Sequence, residues 1–240
     1  MISLLLSGIM AGIGCVQADA VTPAKGKKVP NVVFIIADDL GYGELSCYGQ
    51  EKFQTPNIDR LALEGMRFTQ CYSGTTVSAP SRACLMTGLH SGHVPIRGNK
   101  EVQPEGQMSL PAGINSIFQV FKNAGYTTGC FGKWGLGAPD AEGAPDKQGV
   151  DDFFGYNCQL LAHNYYADHL WDNGRRVELT DNYNGGYGTY TQDLIHERGL
   201  QFLDDNKDKP FFLFLPYVLP HAELLVPEDS IIQKFRGKYP

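Results

Sequence analysis

Two continuous apolar runs constrain this chain more than any other feature: Val29-Pro-Asn-Val-Val-Phe-Ile-Ile-Ala37 and Lys209-Pro-Phe-Phe-Leu-Phe-Leu215. Both are short, rich in β-branched or aromatic residues, and lack polar alternation. Such a run marks a strand buried on both faces, the arrangement of parallel sheets flanked by helices. Between the two runs, helical and strand-like stretches alternate. Thr55 and Pro56 open a helical pattern that stops at Gly65, and Ile114 to Ala124 repeats apolar residues at helical period before Gly125. Tyr190 to Asn206 does the same with Leu194, Ile195, Leu200 and Leu203. Strands are expected near 31–37, 66–72, 126–131 and 210–216, and Asn173-Gly174 predicts a small hairpin. This order predicts an α/β fold: a mainly parallel (mixed) central sheet with helices on both faces.

A net charge of −6 over 240 residues, with 42% hydrophobic content, describes one globular body able to bury its own core. The acidic balance and lack of a basic cluster argue against a nucleic-acid partner. Residues 1–20 hold an apolar run and then Ala18-Asp19-Ala20, which predicts a signal peptide and export to the periplasm or medium. The run is too short to span a membrane, and no other long apolar stretch predicts a transmembrane span. Cleavage after Ala20 is favoured over lipidation of Cys15, because Gly12 is a poor residue three positions before it. Residues 21–28 read as a linker and 29–240 as the folded body. Cysteines 47, 71, 84, 130 and 158 are odd in number and widely spaced, which gives no CxxC metal site and no evident disulfide framework.

Chemistry-bearing residues gather at the ends of the expected strands. Asp38 and Asp39 close the first run, where open α/β sheets place ligands, and adjacent carboxylates repel unless a cation intervenes. Oxygen-only ligands suit a hard ion such as Ca²⁺ or Mg²⁺. Ser78 precedes Pro80-Ser81, which open a short helical segment ending at Gly88. A helix N-terminus there favours an anion, and Arg82, one turn on, adds a planar cation suited to tetrahedral oxyanions. Lys133 follows a strand among glycines, and His221 follows another in Pro220-His221. Taken singly, each has an ordinary structural reading: a solvated turn, a capped helix, a snorkelling Lys, a satisfied His.

The run Ser78-x-Pro80-Ser81-Arg82-Ala83-x-Leu85-x-Thr87-Gly88 resembles the signature of type I sulfatases in its serine form, within the alkaline-phosphatase-like superfamily. The resemblance extends from Pro30 to about His221. It implies oxidation of Ser78 to Cα-formylglycine by a radical-type serine sulfatase maturase, and Ca²⁺ held by Asp38, Asp39 and residue 78. It also implies that Arg82 and Lys133 hold sulfate and that His221 protonates the leaving oxygen. Gly132-Lys133-Trp134-Gly135-Leu136-Gly137 is similar to the family's Gly-Lys-Trp-His-Leu-Gly motif, with Gly135 where that motif usually has His. Arg97 and Asn99 fall in a His-x-x-Ile-Arg-Gly-Asn run like that of many bacterial sulfatases and are supporting candidates. His163 and His169 lie in an aromatic, amide-rich stretch resembling bacterial sulfatases that act on sulfated galactose or N-acetylgalactosamine, which makes them candidate substrate contacts. The expected activity is hydrolysis of a sulfated glycan or aryl sulfate. The alternatives are a phosphoester or phosphonate hydrolase of the same superfamily, or a non-catalytic fragment. Family members are longer and supply further calcium ligands downstream, so the chain reads as the N-terminal part of a sulfatase.

Overall fold

The computed structural model describes residues 29–239; the proposed signal peptide and linker lie outside the described residues. Six strands form one sheet in the order β1-β6-β2-β3-β4-β5. Strands β1 (Val32–Ala37), β2 (Thr127–Lys133), β3 (Asp152–Tyr156) and β6 (Phe211–Tyr217) run parallel, with register pairs such as Ala37–Tyr217 and Cys130–Phe214. The expected hairpin is present: β4 (His169–Asp172) and β5 (Arg175–Glu178) turn at Asn173-Gly174, with both turn residues at positive φ. β4 runs antiparallel to β3, which makes the sheet mixed.

Alternate residues of the central strands feed two separate cores. Phe212, Phe214 and Cys130 face the cluster that holds α2 (Ser78–Thr87) and α3 (Ile117–Asn123). Phe211, Leu213, Leu215 and Phe131 face α4 (Thr191–Asn206) through Ile195 and Phe202. The sheet is therefore covered on both sides, and β6 and β2 lie at the centre of its four parallel strands.

Three local expectations are corrected. The first apolar run is not buried on both faces. β1 is an edge strand; Val32, Phe34 and Ile36 pack inward, while Val33 and Ile35 are 47% and 55% exposed. Periodicity reports that a strand is apolar, but its place in the sheet decides which faces are covered. Met66 to Tyr72 forms no strand, since no partner strand in the described chain offers it a ladder, and Met66, Phe68 and Tyr72 stay exposed. The helix after it starts at Ser78 rather than Pro80, so Pro80 occupies the third helical position. It is tolerated there because the first-turn N–H groups have no intrahelical partner.

α1 (Pro56–Glu64), with Pro at its start, packs beside the short 3₁₀ turn Ser46–Tyr48. Cys47 Nα donates to Asp59 Oδ1 at 2.8 Å, and Ser46 Nα to Thr55 Oγ1 at 2.9 Å, which fasten the two. α5 (Ser230–Gln233) is a single turn capped by Asp229.

Phe212 is the hub of the first core. It stacks on Phe121 at a centroid distance of 4.1 Å and meets Phe118 at 5.2 Å. Phe212→Ala is expected to cost about 3–5 kcal/mol of unfolding free energy. Leu63→Ala, at a fully exposed α1 position, should stay within about 0.5 kcal/mol. Urea denaturation of both variants checks the contrast.

Candidate active site

Three parallel strands end at one edge of the sheet, and each delivers one of the residues named above. Asp38 follows β1 and is held to β6 by its N–H on the Tyr217 carbonyl at 3.2 Å. Lys133 is the last residue of β2, and His221 comes four residues after β6. The ridge they form is met by the N-terminal turn of α2, whose first residue is Ser78.

Arg82 ties these pieces together. Its Nε donates to Ser78 Oγ at 3.0 Å, one Nη to the Lys133 carbonyl at 2.8 Å, and the other to Asp38 Oδ2 at 3.1 Å. Lys133 Nζ donates to the same Asp38 oxygen at 2.7 Å. Arg82, Lys133 and Asp38 are all buried, Lys133 to 1% exposure. Burial pushes the Asp38 carboxyl up, but the two cations outweigh it and hold the group below its ordinary value. Burial pushes Lys133 down, and the neighbouring Arg82 charge adds to this against the pull of Asp38. One carboxylate between two cations leaves the triad net positive. A cleft of about 280 Å³ opens at its Asp38 and Arg82 side, lined by these two with Asp39, Ser78 and the loop Ser73–Val77, while Lys133 lies outside the lining.

Asp39 sits at φ +59 with its side chain largely exposed, and its Oδ2 lies 3.4 Å from His221 Nε2. The His221 ring stacks almost parallel on His163, with centroids 4.9 Å apart and planes 15° apart. Burial and the nearby His221 and Lys133 charges depress the His163 pKa, which favours its neutral form.

Asn99 has a structural task that sequence reasoning missed. Val77 cannot cap α2, and Asn99 Oδ1 accepts the Ala79 N–H at 2.8 Å in its place. This orders the turn that bears Ser78 from a loop twenty residues away, and no local signal announces it. Arg97 is exposed and donates to the Gly92 carbonyl at 2.5 Å, outside the cluster. His169 also lies elsewhere. It is buried between Glu105 (2.7 Å) and Asp168 (2.5 Å), both of its ring nitrogens are engaged, and it lines a separate cavity of about 380 Å³. That cavity is larger than the Ser78 cleft but contains neither Ser78 nor the buried cations.

Asp38, Asp39 and Ser78 fit a hard cation in donor type, being oxygen ligands only. They fit less well in number, since Ca²⁺ takes six to eight oxygens. Among the described residues no cluster of three or more His, Cys, Asp or Glu side chains could hold a metal.

The Sulfatase family model matches residues 30–240. The chain belongs to the sulfatase family. An N-acetylglucosamine-6-O-sulfatase of Bacteroides thetaiotaomicron is 32% identical over 206 residues, covering 85% of this sulfatase chain and 33% of the relative. An N-acetylgalactosamine-6-sulfatase of Rattus norvegicus is 31% identical over 259 residues, covering 98% and 47%. Among solved structures, Ps i-CgsB in complex with k-i-k-neocarrahexaose aligns with a TM-score of 0.75 at 30% identity, over 86% of this chain and 48% of that one. This sulfatase chain thus spans a third to a half of the length of these relatives, and its sheet and flanking helices share their fold.

Asp38→Asn would leave two buried cations facing a neutral amide, with an expected loss of about 3–5 kcal/mol of stability. Because the folded carboxyl is depressed, its contribution is complete above the ordinary Asp pKa of about 3.9 and is lost as pH falls below that value. Denaturant titrations between neutral and acid pH should show the wild type losing this increment while Asp38→Asn does not.

Proposed function

We propose that this chain carries the nucleophile-bearing part of a sulfuric ester hydrolase acting on sulfated carbohydrate of the galactose or N-acetylgalactosamine type. The observation that carries the reading is the buried, net-positive Arg82–Asp38–Lys133 triad against Ser78. A sulfate monoester is a monoanion, and the triad offers it two cations whose positions are fixed before it arrives. The sulfated-sugar names of the relatives support the substrate class.

Ser78 is the residue that a radical-type serine sulfatase maturase would oxidise, and residues 1–20 would direct export to the periplasm or medium. Formylglycine at position 78 would supply, as its hydrate, the nucleophilic oxygen. Asp38, Asp39 and the residue 78 oxygen would hold Ca²⁺, whose chemistry there is Lewis-acid polarisation of bound oxygens.

The chain's own side chains do the rest. Three of Arg82's five N–H groups are engaged on Ser78, Lys133 and Asp38, and the remainder can face sulfuryl oxygens. Lys133 adds further donors from the buried side. Both cations are anchored on Asp38, so they need not reorganise as charge builds on the sulfuryl group. His221, whose Nε2 lies 3.4 Å from Asp39 Oδ2, is placed to give a proton to the departing sugar oxygen. Its Nδ1 donates to the Ala222 carbonyl at 2.7 Å, which leaves Nε2 as the working nitrogen.

Coexpression with a serine-type maturase should make the Ser78 peptide lighter by one H₂, as read by mass spectrometry. The matured protein should release sulfate from an aryl sulfate faster than phosphate from the matching aryl phosphate; the reverse order favours a phosphoester hydrolase. Ser78→Ala should abolish turnover, and Lys133→Ala should lower kcat by about a hundredfold to a thousandfold. A Ser78 left unmodified even with the maturase present would remove the proposed nucleophile and leave the non-catalytic reading.

A further inference from the structure

The loop from Asn157 to Tyr165 joins β3 to the hairpin and passes directly over the catalytic edge. Three of its side chains act on that edge. Gln159, buried to 4%, covers Gly135, where a Cβ would lie 2.2 Å from Gln159 Nε2 and the φ of +76 disfavours any side chain. His163, in the short 3₁₀ turn Leu161–His163, stacks on the His221 ring. The buried Tyr165 hydroxyl donates to the carbonyls of His221 and, at 3.3 Å, of Val218.

His221 needs such support. It follows β6 in a stretch with no regular secondary structure of its own, and the residues after it, Ala222 to Leu224, are exposed. Its Nε2–Asp39 contact of 3.4 Å is too long to fix the ring plane, and Asp39 is itself largely exposed. The Nδ1–Ala222 bond joins it only to the neighbouring residue. The parallel contact with His163 packs a face of the ring from a different segment, and the Tyr165 hydroxyl bonds the backbone from which the ring projects.

We propose that His163 and Tyr165 form a clamp that positions His221 for proton delivery to the leaving oxygen, with His163 acting through its ring face rather than its nitrogens. His163 is then a positioning residue, and the inference rests on the sulfatase reading only for the identity of the leaving group. Gln159 holds the same loop in place over Gly135, so the backbone that carries His163 is packed rather than free. Polar chemistry at His163 is not required by this role; a flat ring is.

The clamp predicts a dependence on the leaving group. A nitrophenolate departs without a proton, whereas a sugar alkoxide needs one, so loss of a positioned acid penalises the sugar ester far more. In the intact, matured protein His163→Ala should lower kcat on N-acetylgalactosamine 6-sulfate at least tenfold more than on 4-nitrophenyl sulfate, with KM little changed for either. His163→Phe, which keeps a flat ring, should recover most of the sugar-ester rate, and Tyr165→Phe should show a smaller loss with the same substrate bias. A His163→Phe variant as poor as His163→Ala would overturn the proposal, because the nitrogens would then matter. Equal losses on both esters would also overturn it, as would a raised KM at constant kcat, which would make His163 a substrate contact.

A second readout needs no matured residue 78. A crystal structure of His163→Ala with unmodified Ser78 should show the His221 ring turned away from Asp39 or spread over several rotamers. A ring unmoved from its wild-type plane refutes the clamp. If the wild type releases sulfate from neither ester, the sulfatase reading fails, and this structural comparison still decides the clamp by itself.

Discussion

One carboxylate oxygen, Asp38 Oδ2, holds two buried cations at once: Arg82 at 3.1 Å and Lys133 at 2.7 Å. Burying a Lys ammonium to 1% exposure is costly unless an opposite charge lies within direct reach. Here the compensating charge comes from a different strand, 95 residues earlier in sequence. The interaction therefore welds β1 to β2 across the intervening β6, and Arg82 adds α2 to the same point. Removing the carboxylate would leave the cations repelling each other in a dry setting, so the fold of this edge and its chemistry depend on the same three groups.

The sheet makes that convergence possible. Parallel strands end on the same side, and β1, β6 and β2 are neighbours, so Asp38, His221 and Lys133 emerge along one ridge. Helix α2 then needs only to present its N-terminus, which Asn99 caps from outside the helix. The resulting cluster pairs buried, fixed cations with more exposed groups at the rim, Asp39 and His221. Fixed charge suits recognition of a sulfuryl group, and accessible imidazole suits exchange of protons with a departing alcohol.

Position 135 illustrates how a local departure is absorbed. Glycine there is enforced by Gln159, which fills the space a side chain would enter, and by a left-handed backbone. The same loop brings His163 onto His221, so an imidazole pair exists at the site although position 135 contributes none. The resemblance of one aromatic stretch to bacterial sulfatases acting on sulfated galactose or N-acetylgalactosamine made His163 and His169 candidate substrate contacts together. In space they separate: His163 joins His221 at the strand-end ridge, and His169 is locked between Glu105 and Asp168.

Much of the architecture was legible in the residues alone. Apolar runs, helix stops and the Asn173-Gly174 turn are local properties, and they sufficed for a mixed sheet with helices on both faces. The motif around Ser78 carried the family for the same reason, since its residues are contiguous. What the sequence could not decide was everything set by contacts between distant segments. β1 reads as a doubly buried strand but lies at an edge, and Met66 to Tyr72 reads as a strand but finds no partner. Asn99 becomes a cap, Asp38 a shared anion and His163 a stacking platform only when separate loops meet. Hydrogen bonds and ion pairs act over a few ångströms, so their partners are chosen by the tertiary fold rather than by neighbours along the chain.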